Sequence, residues 1–523
     1  MTTGVLDRSQ SSATRGLIAA SLAFLALPVA LFLAGWLRWY LALPLLALLL
    51  LALLAAVRGT VRPVIVEGER TRRPSWHLRH LVPLLVVATL LLGMSGIGGI
   101  GFQDTDWLKH NAVLKDLSER PWPVTYEFHG KKIPLVYYVA YYLPAAAVGK
   151  AFGWTAANWV LFGWSLAGVI LTLLWFQLLA RRAGWRTLLL FAVFSGLDIA
   201  GQLFTRQVIA PIRPEVDPLL TWTHLEGWSV GWQYSANATL LFWVPNQALA
   251  GWLVTGLVAH TVLHSSRKDF TLFSASLAAF WSPFVALGLL PFLVASWLVA
   301  GGRWGERIKR LVSLPNLGGA ILITVAGLYY SAKLYPVSPQ LAASIPHGFF
   351  WDLVPDPQGR MLAGATMVVF CVLEFGLYGI LICGARSGWS ARTKALYLPT
   401  IIILLLIPLY RYGAMNDLAM RASIPALFVL CLLVARALNS SLTGLPVRIG
   451  LVLLVALGSG TAFVEFNRHV KGIYEAGAIR ALPPAAGVAS VDEWGITTER
   501  DAAIVLQYLG GLQAPFFRYL ARQ

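Results

Sequence analysis

The chain is short of charge. Asp, Glu, Lys and Arg supply 12% of its 523 residues, against 57% hydrophobic. Soluble domains carry about a quarter charged residues, so a water-soluble body of this size is excluded. No polar stretch is long enough to fold as a sizeable soluble domain. Cysteine is scarce: Cys371, Cys383 and Cys431 all lie inside apolar runs, with no CxxC pair and no metal spacing. That excludes a disulfide scaffold and leaves three small core residues. The apolar runs do not alternate with polar residues, as barrel strands would. There is no internal repeat of the kind that marks many transporters.

What is present is a series of apolar runs of the length a spanning helix needs, roughly 20 residues. They fall at 17–37, 41–57, 82–102, 156–180, 187–204, 239–263, 312–331, 362–384, 395–410, 422–435 and 449–464. Residues 271–300 are short for two full crossings at about 1.5 Å per residue. They fit two tilted or re-entrant helices meeting near Trp281–Ser282–Pro283. The fold class expected is an all-α polytopic membrane protein with about 13 transmembrane helices. The first run is followed by no small-residue cleavage site, so a retained anchor is expected.

Arginines 58, 62, 70, 72, 73 and 79 mark one side as cytoplasmic. The N-terminus is then cytoplasmic, and the loop after residue 102 and the C-terminal segment are extracytoplasmic. On this topology the formal excess of +17 falls on the cytoplasmic face. Anionic membrane lipids are its natural partner. Nucleic acid is not expected, because no basic stripe with interleaved aromatics sits on a soluble module. Segment 134–154, rich in tyrosine (137, 138, 141 and 142), reads as an interfacial helix in the headgroup layer. Three regions follow: a hairpin and basic loop at 1–81, a transmembrane core at 82–464, and a short extracytoplasmic segment at 465–523.

The richest polar stretch is the first outer loop, GFQDTDWLKHNAVLKDL from Gly101. Asp104 and Asp106 follow directly on an apolar run, where acids are costly unless used. A carboxylate beside a hydroxyl can act as general base, and a carboxylate pair can hold a divalent cation such as Mg or Mn. Asp106 also stands where a helix N-cap would. Lys109 and His110 lie one helical turn on and share its face, which either binds phosphate or is a solvated helix face. Late in the chain, RYGAMNDLAMRASIPAL brings Asn416, Asp417 and Arg421 to an outer helix end. An arginine there either snorkels or grips a lipid phosphate, with Asp417 orienting it. The second outer loop offers His224, Glu226, Trp232 and Tyr234 as sugar or acceptor contacts, although tryptophans also mark an interfacial belt. Asp198 and Glu374 fall within apolar runs, where acids are functional candidates or pair between helices.

The order of these pieces, an acid pair opening the first outer loop, then IPLVYYVAYYLPAAAVGKAFGW, then RASIPAL before a late span, resembles the GT-C membrane glycosyltransferases. The nearest branch is that of bacterial protein O-mannosyltransferases and aminoarabinose transferases. The resemblance implies a bacterial inner-membrane enzyme that takes sugar from a polyprenyl-phosphate donor. The acceptor would be a hydroxyl on glycan, lipid or protein at the extracytoplasmic face. It implies an Asp general base, and Asp106, which leads into the helix, matches that position better than Asp104. The departures are the hairpin 17–57 ahead of the usual first span, and Trp107 after the acids. Other functions for such a layout are a transporter or flippase of lipid-linked glycans, and an O-antigen polymerase or ligase.

Overall fold

The computed structural model describes residues 2–59, 78–128, 131–212, 224–229, 231–264, 270–335, 346–385, 389–413, 416–480, 482–496 and 506–522. Helix accounts for 79% of it. Among the described residues, eight helices are long and apolar enough to cross a membrane: Ser12–Trp36, Trp39–Gly59, Val139–Leu179, Trp185–Ile209, Leu314–Leu334, Pro357–Gly384, Ala391–Leu409 and Leu445–Ala476. Four shorter apolar helices accompany them: His80–Gly93, Thr271–Trp281, Pro283–Val299 and Ile424–Asn439. The chain is an all-α polytopic membrane protein. The basic loop used to orient it, with Arg62, Arg70, Arg72 and Arg73, lies outside the described residues.

The loops separate to two ends. At one end, Arg392 donates to Leu263 O at 3.2 Å, Asn439 donates to Ala180 O at 3.4 Å, and Trp175 packs on His260. At the other end, the turn between the first two spans meets the C-terminal segment: Arg38 Nε donates to Ala521 O at 3.1 Å. That segment also stitches onto the Asp104 loop. Val136 N donates to Tyr508 O at 2.7 Å, Lys115 Nζ to Val488 O at 2.6 Å, and Arg120 pairs with Asp492 at 3.0 Å. The N-terminal hairpin is part of the same body, with Phe24 stacked on Trp164 and Trp175 Nε1 bonded to Ser21 Oγ.

Three expectations change. The run 82–102 is helical only to Gly93. Beyond it, Gly96, Gly98, Gly99 and Gly101 all have positive φ, which L side chains avoid, so the helix gives way to an internal loop. At Gly98 a Cβ would sit 2.5 Å from Asn158 O, and at Gly99 2.6 Å from Leu482 Cβ. The acids therefore follow a buried glycine loop rather than a span end. Second, tyrosines 137, 141 and 142 are buried inside the protein rather than exposed along one face of a surface helix. Their hydroxyls explain it for two of them: Tyr141 pairs with Ser165 at 2.7 Å and Tyr142 with His110. The helix that follows is continuous from Leu143 to Leu179, apart from a break at Gly153 (φ 81°). Third, the last span does not stop at 464. It runs as one helix, Leu445–Ala476, so the boundary drawn at 464/465 cuts a regular element.

The proposed meeting point at Ser282 holds. Thr271–Trp281 and Pro283–Val299 are separate helices, broken where Ser282 is extended and its hydroxyl caps Val285 N. On the opposite side of Pro283–Val299, helix Trp304–Leu311 buries none of its residues. Trp304, Ile308 and Leu311 stand exposed beside Arg307, Lys309 and Arg310. That composition suits a helix lying in the headgroup layer.

Gly288 sets how closely the broken hairpin approaches the late arginine. A Cβ there would lie 2.1 Å from Ala422 O, in the helix Asp417–Ala422. Gly288→Ala must push the two helices apart, at a cost of about 1–3 kcal/mol. The expected result is a lower thermal midpoint in detergent together with displacement of Arg421. A midpoint equal to the wild type would contradict this packing.

Candidate active site

Helix Asp106–Glu119 is polar by average composition, yet most of it is buried. It is tucked between the glycine loop and helix Leu143–Leu179, with Trp107 Nε1 donating to Phe242 O at 3.1 Å. Asp104 Oδ1 accepts the Asp106 backbone N–H at 2.9 Å, so Asp104, rather than Asp106, supports the helix start. Asp106 Oδ2 pairs with Lys109 Nζ at 3.1 Å, and its side chain keeps 32% exposure, the open carboxylate of the two.

Arg421 comes to the same place from about three hundred positions away. Its guanidinium bears on both Asp106 and Lys109, and it pairs with Asp417 one turn back at 3.5 Å. Arg421 Nε has no hydrogen-bond partner although buried. Asn416 builds the local geometry. It takes a left-handed conformation (φ 56°), its side chain accepts from Ala419 N, and its amide donates to Gly231 O at 3.0 Å. Asn416 thus starts the helix that presents Asp417 and Arg421, and its amide is used by the protein.

Aromatic side chains wall this cluster. Tyr137 and Tyr508 lie in the field of Lys109 and Asp106, with ring centroids 4.6 Å apart. Tyr138 faces Asp417, and Lys333 Nζ sits 5.3 Å from its ring centre. Phe284, just past the Ser282 break, reaches both Tyr138 and Tyr412. Lys333 and Tyr508 were not among the residues expected. Lys333 ends a span, and Tyr508 belongs to a segment expected only to be short and external.

The electrostatics separate the two aspartates. Burial raises Asp104, helped by the Asp106 charge and opposed by Arg468, and its carboxyl is pushed up to about 7. Burial would raise Asp106 too, but the Lys109 and Arg421 charges outweigh it and hold Asp106 below the usual carboxylate range. Burial alone would discharge Lys109, and the Asp106 carboxylate reverses this and keeps the ammonium charged.

His110 does not join the cation cluster. It is fully buried, its Nε2 donates to Trp243 O at 2.8 Å, and Nδ1 accepts from Tyr142 Oη. Burial, then the neighbouring Lys109, drive its pKa down to about 3, so the ring is neutral and both nitrogens are taken. The assignment of His110 as a phosphate ligand is corrected accordingly. Trp232 and Tyr234 are likewise core: their polar atoms donate to Pro408 O at 2.7 Å and Leu404 O at 2.8 Å. Trp232 lines a separate cavity of about 290 Å³, with Trp228, Phe350 and Arg411.

His224 and Glu226 form a second layer that leads to Asp104. His224 Nδ1 lies 3.1 Å from Glu465 Oε1, and Glu465 Oε2 accepts from Arg468 at 2.7 Å. Arg468 in turn stands 3.8 Å from Asp104 Oδ2, stacked over Trp243, while His469 Nε2 is 3.9 Å from the same oxygen. Burial pushes Glu226 up to about 7 against the pull of His224, and Glu465 outweighs burial to raise His224. Glu465, Arg468 and His469 were missed because the last span was ended at 464. Their i, i+3, i+4 spacing on one helical face was the available signal.

Asp106 is paired with Lys109 and Asp104 faces Arg468, and among the described residues no group of three or more His, Cys, Asp or Glu side chains could hold a metal ion.

Fold and cluster together define a polytopic helical membrane protein with a buried acid–cation–tyrosine site at one end. No family model, curated protein or solved structure matches the chain.

Proposed function

We propose that the chain is a membrane glycosyltransferase of the GT-C kind, moving a sugar from a polyprenyl-phosphate donor to an acceptor hydroxyl at the extracytoplasmic face. The observation that carries this reading is the convergence of Asp106 and Lys109 with Arg421 beneath a tyrosine wall. Two buried-side cations facing one open carboxylate match what the reaction needs: charge for a leaving phosphate and a base for a hydroxyl.

In this scheme the donor phosphate lies against Lys109 and Arg421, and Lys333 adds charge at the rim. Asp106 is the base because it is the open carboxylate, and a base must first reach its proton. Its proton affinity is low in the free site. It rises when the phosphate takes a share of the Lys109 and Arg421 charge. The acceptor oxygen gives its proton to Asp106 and bonds to the anomeric carbon. The carbon–oxygen bond to phosphate breaks with its electron pair going to the phosphate, and the centre inverts. Developing charge on the leaving phosphate is held by Lys109 and Arg421.

The test is to incubate the purified chain with radiolabelled polyprenyl-phosphate sugars and membrane extracts. Label transferred to an acceptor, with free polyprenyl phosphate released in equal amount, is the expected result. No consumption of any such donor would remove the reading.

One observation favours a second reading, an ion-coupled transporter. Asp198 and Glu374 are paired within broken spans. A coupling-ion gradient that drives uptake of a glycan into proteoliposomes, without donor turnover, would establish it instead.

A further inference from the structure

Two spans lose regular winding opposite each other. Residues 194–197 are non-helical between Trp185–Val193 and Asp198–Phe204. Facing them, Pro357–Gly384 contains a π-turn at Val372–Gly376, and Leu197 N donates across to Leu373 O at 3.2 Å. Each irregular stretch carries an acid: Asp198 opens the resumed helix, and Glu374 lies in the π-turn. Both are almost wholly buried, at 1% and 2% exposure.

Three of the hydrogen bonds around the pair are spoken for. Asp198 Oδ2 accepts from Ser195 Oγ at 2.9 Å and from Thr461 Oγ1 at 2.6 Å, and Glu374 Oε1 accepts from Trp228 Nε1 at 3.1 Å. Asp198 Oδ1 and Glu374 Oε2 are left buried with no donor. The two carboxyl groups lie within hydrogen-bonding reach of each other. The approach is enforced by Gly196, where a Cβ would fall 1.9 Å from Glu374 Oε2.

Two bare carboxylate oxygens cannot face one another in a low-dielectric interior. Like charges at that range repel strongly, and each oxygen would also lack the partner that burial demands. Among the described residues no Lys or Arg forms an ion pair with either acid. The titratable groups that bear on Asp198 are His224 and Glu374, with Glu226 beyond; Tyr234, Tyr378 and Cys371 surround Glu374. None of these supplies a fixed positive charge between the two free oxygens.

We propose that Asp198 Oδ1 and Glu374 Oε2 form a binding site for one monovalent cation, either a shared proton or a sodium ion. The chemistry is common to both: one positive charge bridges two carboxylates. The Ser195 and Thr461 hydroxyls hold the outer oxygen of Asp198, so the inner one is presented to the bridging cation. Discontinuous membrane helices are a recurrent setting for such sites. The assignment does not depend on the transferase reading, since it uses other helices and predicts no turnover.

The full chain, purified in detergent at about pH 9, where Asp104 and Glu226 have given up the protons they hold up to about 7, separates the two cations. A shared proton gives an infrared band of a protonated carboxyl group in sodium-free buffer, lost in both Glu374→Gln and Asp198→Asn. In these variants an amide N–H can take the place of the bridging proton, so folding is expected to survive. A sodium ion instead gives a thermal midpoint that rises with sodium chloride over matched choline chloride, in the wild type and in neither variant. Either pattern supports the site. A wild type with neither the band nor the sodium response overturns it, as does a band or response that persists in both variants. Because the wild-type protein alone can give the overturning result, poor folding of one variant does not shelter the proposal.

Discussion

Asp106→Asn is expected to lower transfer by ~10²–10⁴-fold, the range a general base contributes, while Asp104→Asn keeps a measurable rate. The difference follows from access. Asp106 keeps 32% exposure beside Lys109, whereas Asp104 is buried and spends one oxygen on the Asp106 backbone N–H. The Asp104 variant has its own signature, in stability. The folded protein holds the Asp104 proton up to about 7, above the ordinary 3.8 of the unfolded chain. Between these values the native state binds more protons than the unfolded state, so stability falls as pH rises through that window. Below it both states are protonated and the penalty is absent. Asp104→Asn has no proton to lose and should flatten that slope in thermal midpoints measured against pH in detergent. Equal loss of transfer in both variants, or full activity in Asp106→Asn, would reverse the roles given to the two acids.

Arg421→Gln is expected to cut transfer by ~10²–10³-fold, as removal of a donor aimed at developing charge does. It should change folding little. The partner of Arg421 is Asp417 at 3.5 Å, a part-exposed pair of 11% and 28% exposure, and such pairs contribute about 0–1 kcal/mol. Arg421→Lys should restore only part of the rate, because an ammonium does not reproduce a planar fork against phosphate oxygens. Measuring donor concentration dependence and maximal rate for both variants, alongside thermal midpoints, checks the assignment. Wild-type kinetics in Arg421→Gln would leave the phosphate without its main anchor and end the scheme.

Much of this architecture could be read from apolar runs, since burial in lipid leaves a strong and local mark on composition. The break at Ser282 was legible too, because Trp281–Ser282–Pro283 interrupts a run too short to cross twice. Elsewhere apolarity misled. Residues 94–101 continue an apolar run without a charge, yet four glycines with positive φ unwind them ahead of Asp104. The end of the last span was placed where polar residues begin, but the helix continues to Ala476 and delivers Glu465, Arg468 and His469 to Asp104. Asp106 and Arg421 each stand out in the sequence as a charge at the edge of an apolar run. His110 was misjudged for the opposite reason: its neighbours in sequence are polar, and what neutralises it, Tyr142 and the Trp243 carbonyl, arrives from distant segments. Asp198 and Glu374 stand out in the sequence as acids inside apolar runs, but their approach to one another is set by contact between helices.

The stitching of residues 506–522 onto Leu37–Arg38 and Val136 has a consequence for biogenesis. Tyr508 belongs to the wall around Lys109, yet it follows the eight membrane-length helices of the described residues. A nascent or clipped product can therefore insert all its helices and still hold an incomplete pocket. The pocket around Lys109 is complete only once this segment has docked.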